Sequence, residues 1–169
     1  MSDSEGAGQS ESGTPQAPAI LVGVDGSESS VRALRHARRL ADALNAPLEG
    51  VTVWLRAYSM YDFYQTDTGW TPGQNVEKLL DEAVDAAFGA DRPARFTTTV
   101  LEGAPSSTLI RYSAGAEMLV LGGRGHGGFT GLILGSVSSA CVAHATCPVL
   151  IVHSRDQHHV DATKSRVAQ

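Results

Sequence analysis

Gly122-Gly123-Arg124-Gly125-His126-Gly127-Gly128-Phe129-Thr130-Gly131-Leu132-Ile133-Leu134-Gly135-Ser136-Val137-Ser138 joins a short apolar run, Met118–Leu121, to a segment of helical character, Ser136–Ala145. Glycines this dense let the backbone approach a ligand closely and adopt positive φ. Their N–H groups can converge on an anion. Gly135-Ser136 falls where the helix begins, and its unbonded N–H groups and positive dipole end favour a phosphate. Ser136 and Ser138 add hydroxyl donors, and Arg124 and His126 bring charge that either meets a phosphate or faces solvent. The unit reads as strand, anion-binding loop, helix.

The same alternation runs outward in both directions. Ala19–Val24 is a continuous apolar run, as a strand covered on both faces should be. It stops at Asp25-Gly26-Ser27, a turn and helix-start signal. Val31, Leu34, Ala37, Ala41 and Leu44 then recur at helical spacing up to Asn45-Ala46-Pro47. Leu48–Leu55 reads as a second strand. Thr71-Pro72 opens a second helix with the stripe Val76, Leu80, Ala83 and Ala87, which Gly89 closes. Phe96–Leu101 is a third strand, Pro105–Ala114 a short helix, Met118–Leu121 the fourth strand and Val149–Val152 the last. Strands alternating with helices predict one doubly wound parallel sheet of about five strands, order 3-2-1-4-5, with helices on both faces. Ligands of such sheets sit beyond the C-terminal strand ends where the strand order reverses. That point lies between Asp25 and Gly122.

Three better-known glycine sites do not fit. A Walker loop needs Lys before its Ser or Thr, and Leu134-Gly135-Ser136 has none. A dinucleotide fingerprint follows the first strand and is answered by an acid at the end of the second, which here runs into Trp54-Leu55. A phosphorelay receiver would end its third strand on an acceptor Asp, where this chain has Val100-Leu101-Glu102-Gly103.

The 169 residues carry a formal net charge of −5, which argues against nucleic acid and anionic membranes as partners. Arg32, Arg35, Arg38 and Arg39 read as a solvated helix face. No apolar run approaches the ~20 residues of a membrane span. The opening Met1-Ser2-Asp3-Ser4-Glu5 lacks the basic and apolar regions of a secretory signal. Cys141 and Cys147 have neither metal-type nor thioredoxin-type spacing and read as structural thiols of a reducing compartment, so the cytoplasm is expected. Residues 1–18 are too polar to offset their ordering entropy and read as a disordered tail; 154–169 read as a polar C-terminal tail. The folded domain is expected over 19–153. His144, His153, His158 and His159 read as structural or tail residues. Tyr58, Tyr61, Tyr64 and Trp70, in the stretch 56–71, either cover a ligand, pack on the second helix or meet a partner.

These motifs resemble the universal stress protein family. Its ATP-binding members show Gly, two residues, Gly, nine residues, Gly, then Ser or Thr, which Gly122, Gly125 and Gly135-Ser136 reproduce. Ile20-Leu21-Val22-Gly23-Val24-Asp25-Gly26-Ser27 and Cys147-Pro148-Val149-Leu150-Ile151-Val152 are also similar to the family. The resemblance implies an adenine nucleotide alpha hydrolase-like fold and ATP, or another adenine nucleotide, as ligand. It implies Asp25 beside adenine and ribose, Val53 meeting the adenine through its backbone, and Gly122 against the ribose. Gly125, Gly135, Ser136 and Val137, with Ser138, would hold the phosphates, and Arg124 and His126 would be auxiliary. It also implies a homodimer through Val149–Val152. Gly123 departs from a common Ser or Thr, and His126 from a frequent Arg or Lys. Asp25 is the one candidate ligand for Mg²⁺.

No activated nucleophile pair, general base or phosphate-directed Lys is visible. The expected activity is binding in a stress response, as a switch or sensor, with at most slow ATP hydrolysis or autophosphorylation on Ser. The alternatives are a dimeric interaction protein without nucleotide, and an AMP or cyclic AMP sensor using the same pocket.

Overall fold

The computed structural model describes residues 18–55, 72–123 and 134–153, with 72–74 as backbone alone. Both expected tails, the aromatic stretch 56–71, and Arg124, Gly125 and His126 lie outside the described residues.

Period-two alternation along the strands decides the layers. Ile20, Val22 and Val120 face one apolar cluster, built with Ala33, Leu34 and Ala37 and with Leu80, Ala83 and Val84. Leu21, Leu119 and Leu121 face the opposite cluster, with Val51, Leu109 and Cys141. The elements that supply them alternate as expected. They are β1 (Ile20–Gly23), α1 (Glu28–Leu44), β2 (Leu48–Trp54), α2 (Pro72–Phe88), β3 (Phe96–Glu102), α3 (Pro105–Tyr112), β4 (Met118–Gly122), α4 (Ser136–His144) and β5 (Val149–Val152). The sheet has five strands in the order β3-β2-β1-β4-β5, every neighbour pair parallel. Helices α1 and α2 cover one face; α3 and α4 cover the other.

Strand and helix ends differ from the sequence reading by a residue or two, as frayed termini do. Leu44, expected in the core stripe, is 53% exposed. The chain leaves the helix immediately after it, at Asn45 in the left-handed region, so the last turn overhangs the sheet.

The arginine face of α1 is more than solvated. Arg35 Nη2 donates to Ala86 O at 2.5 Å. Arg38 donates to Asp91 O at 2.6 Å and to Asp91 Oδ2 at 2.7 Å. Ala86 O lies in the last turn of α2, where unpaired C=O groups and the negative dipole end favour cations, and Asp91 lies in the segment just after the helix. The arginines therefore fasten α2 to α1.

The cysteines are both free, Cys141 buried and Cys147 half-buried. Burial pushes the Cys141 thiol up, and nearby Cys147 adds to the rise. A thiol reagent should therefore label Cys147 in the folded chain and Cys141 only on unfolding. The sign of the linkage is fixed: the folded thiol holds its proton longer than the unfolded one. Cys141 thus costs stability as pH rises through the thiol range. The denaturant midpoint should fall further between about pH 8 and about pH 10 in the native chain than in Cys141→Ala.

Candidate functional site

Neighbouring strands end at different heights beside the β1–β4 switch, the place where sheets of this order leave a crevice. The last β1–β2 partners are Gly23 and Val51, whereas β2 continues beside β3 to the pair Trp54 and Glu102. Val24 N donates to Val51 O at 2.8 Å, and Gly103 N to Trp54 O at 2.9 Å. Main-chain groups of alternate residues point to opposite neighbours. Val53 therefore turns its N–H and C=O to the β1 side, beyond the end of that strand. Thr52 Oγ1 closes the ladder by donating to Val24 O at 2.9 Å.

On the β1 side, Asp25 is exposed at the start of the turn. Asp25 Oδ1 accepts from Ser27 N at 3.0 Å and Ser27 Oγ at 2.6 Å. The cap of α1 is Ser27, whose Oγ accepts from Ser30 N at 3.2 Å. Gly26 between them has φ +80°, and a Cβ there would meet Leu79 Cγ at 2.9 Å. Only glycine accepts that backbone with α2 packed so close.

On the β4 side, Gly122 lies against the first turn of α1. A Cβ added to it would stand 2.5 Å from Ser29 Oγ and 2.9 Å from the Ser29 carbonyl carbon. Gly123 N donates to Val152 O and Gly135 N to Gly123 O, each at 2.9 Å. The two described ends of the glycine-rich loop thus meet beside β5. Ser138 Oγ donates to Gly122 O at 2.8 Å, which draws the first turn of α4 onto the end of β4. Gly135 is the N-cap of α4, at φ −70° and ψ 163°, with no side-chain cap bond. The first helical bond is Ser139 N to Gly135 O, so the N–H groups of Ser136, Val137 and Ser138 precede the ladder. An anion is the natural partner of such a terminus.

Asp25, Val53, Gly122, Gly135, Ser136, Val137 and Ser138 therefore all stand at the C-terminal end of one sheet, around the β1–β4 switch. Ser138 spends its hydroxyl on the backbone of Gly122, which leaves its main-chain N–H as its offering to a ligand. Gly125, Arg124 and His126 lie outside the described residues.

Sequence reasoning missed two residues that pack against the glycines at the end of β4. Ser29 is 6% exposed, and its Oγ is 3.1 Å from Ser27 Oγ. Its only signal was position, at the second residue of a helix whose start faces the crevice. His153, read as a tail residue, lies with Nδ1 3.0 Å from where a Gly123 Cβ would be. The absence of a side chain at 123 makes room for that ring.

The family model described as the universal stress protein family matches residues 18–153. Universal stress protein Rv2005c of Mycobacterium tuberculosis is 36% identical over 146 residues, which is 81% of this chain and 48% of that protein. Universal stress protein Rv1996 of the same organism is 35% identical over 150 residues, 79% of this chain and 47% of that protein. The chain spans about half the length of these curated relatives. A crystal structure of a universal stress protein in complex with cAMP matches with a TM-score of 0.60 at 30% identity, over 82% of this chain and 98% of that one. The universal stress protein from Archaeoglobus fulgidus in complex with dAMP shares the fold, with a TM-score of 0.54 at 21% identity over 79% of this chain and 96% of that one.

Proposed function

Because the chain belongs to the universal stress protein family, we propose that it binds an adenine nucleotide, ATP in the first instance, and acts in stress response as a nucleotide-dependent switch. The observation that carries this reading is the crevice itself. An acceptor carboxylate (Asp25) and the Val53 main chain, which has no strand partner on the β1 side among the described residues, flank one side, and the N–H groups that precede the α4 ladder crown the other. Asp25 and Val53 hold the adenosine, and Gly122 lets the ribose approach β4. Gly125, Gly135, Ser136, Val137 and the N–H of Ser138 hold phosphate, with Arg124 and His126 as auxiliary contacts. A Mg²⁺ ion accompanying a triphosphate would take its protein ligand from Asp25.

The residues present suit binding rather than turnover. Among the described residues the crevice offers donors and the Asp25 carboxylate, with no Lys directed at phosphate. Steady-state ATP hydrolysis should not exceed that of a glycine-loop variant, and a clear excess would overturn this part of the proposal.

Cyclic AMP is the second reading, favoured by the relative solved with cAMP at 30% identity. The N–H row of α4 accommodates one phosphate as readily as three. Calorimetric titration of nucleotide-stripped protein with ATP, AMP and cyclic AMP separates the two: tightest binding of ATP supports the switch, and tightest binding of cyclic AMP the sensor. No binding of any of them leaves the nucleotide-independent interaction protein.

The dimer belongs to the same proposal. All four residues of β5 are only half-buried, at a sheet edge, and an apolar edge of this kind calls for a cover. A second β5 would supply it. Free thiols at Cys141 and Cys147 suit a reducing compartment such as the cytoplasm. No helix among the described residues is long and apolar enough to cross a membrane.

A further inference from the structure

A row of hydrogen-bonded side chains, Asp25, Ser27 and Ser29, runs from the end of β1 along the start of α1 to where Gly122 of β4 packs. Ser27 Oγ lies 2.6 Å from Asp25 Oδ1 and 3.1 Å from Ser29 Oγ, and Ser29 presses on Gly122. The proton order follows from the carboxylate, which only accepts. Ser27 must donate to Asp25, so its oxygen accepts from Ser29 and from Ser30 N. Bonds aligned in one direction reinforce each other. Ser27 N donates to the same Asp25 oxygen at 3.0 Å, so Oδ1 is gripped by both donors of one residue. That residue is itself anchored as the N-cap of α1.

We infer that Ser27 is a positioning residue for ligand recognition: it orients the Asp25 carboxylate in the crevice as an acceptor for O–H or N–H donors of the nucleoside. The inference rests on the proposed nucleotide site and deepens it. Without the hydroxyl at position 27 the Asp25 carboxylate in its exposed turn would be held less firmly, and a bound ligand would have to select among more rotamers. Ser27 fixes the carboxylate in advance, and Ser29 couples it to the β4 wall where the ribose would lie.

Two variants separate this role from simple helix capping. Gly is nearly as good an N-cap as Ser, so Ser27→Gly removes the hydroxyl with little harm to α1, and Ser27→Thr restores it. In calorimetric titrations of the nucleotide-stripped full chain, Ser27→Gly should weaken ATP and adenosine by the same factor, about 5- to 10-fold, as expected for one lost hydrogen bond. Ser27→Thr should recover most of that loss. In an Asp25→Ala background, Ser27→Gly should add nothing, because both changes remove the same contact.

Unchanged affinity in Ser27→Gly would overturn the inference and reduce Ser27 to a cap. Additive losses in the double variant would overturn it too, since Ser27 would then act independently of Asp25. A native chain that binds neither nucleotide nor adenosine would bring down the nucleotide reading and this inference with it. Native binding with an indifferent Ser27→Gly brings down the inference alone.

Discussion

A Gly122→Ala variant is expected to be about 1–3 kcal/mol less stable than the native chain, with Tm lower by about 3–10 °C. The obstacle is space. The added methyl would sit 2.5 Å from Ser29 Oγ and 2.9 Å from the Ser29 Cβ and carbonyl carbon. The hydroxyl could turn away only by giving up its contact with Ser27 Oγ, and the backbone of the first turn of α1 cannot yield without moving the helix. That turn carries Ser27 and, through it, Asp25. The same shift should therefore weaken adenosine as well as ATP. Chemical denaturation and calorimetry on one preparation check both effects. Ser29→Ala in the Gly122→Ala background removes only the hydroxyl clash, so partial recovery of stability is expected, a positive coupling between the two positions. An unchanged denaturation midpoint in Gly122→Ala would mean that α1 and β4 do not meet as closely as the structure has them.

Gly122 shows how far the sequence could be read. Its place at a strand end beside a turn was legible, because a short apolar run followed by glycines has few other readings. The strand order was legible for the same reason. Continuous apolar runs such as Ala19–Val24 need cover on both faces, and alternating helices supply it in one handed arrangement. What Gly122 is small for was not legible. Ser29 lies far away along the chain, and only the β1–β4 pairing brings the α1 turn against it. The arginines of α1 follow the same logic. Their spacing announced a polar face, but the groups they bond belong to the end of α2 and to the segment just after it. Val53 is the converse case. The family resemblance pointed to its backbone, and the physical reason appears only in the register, where β2 outruns β1. The division between Asp25 and Ser27 was also hidden. Both are turn formers, and only the hydrogen bonds make Ser27 the cap and Asp25 the group it holds.

Gly135→Val is expected to abolish most ATP binding while leaving the domain folded. At φ −70° and ψ 163° Gly135 has a backbone that valine adopts readily. Its N–H bond to Gly123 O survives substitution, and there is no side-chain cap bond to lose. Valine is a poorer N-cap than glycine, so a stability loss of about 1 kcal/mol is the most that capping accounts for. The branched side chain, however, stands beside the N–H groups of Ser136 and Val137. A phosphate there would accept charge-assisted hydrogen bonds worth about 1.5–3 kcal/mol each. Losing two corresponds to a fall in affinity of about 100-fold or more. Adenosine carries no phosphate, so its affinity should stay within about twofold of the native value. That contrast identifies the phosphate end of the site. ATP and adenosine falling together would point to collapse of the crevice, and ATP binding unchanged would move the phosphates away from α4 altogether. The pair Ser27→Gly and Gly135→Val then divides the ligand: the first variant should report on the nucleoside end, the second on the phosphate end. A protein in which both variants weakened ATP but only Ser27→Gly weakened adenosine would have its nucleotide lying from Asp25 to the start of α4, across the strand switch that the fold leaves open.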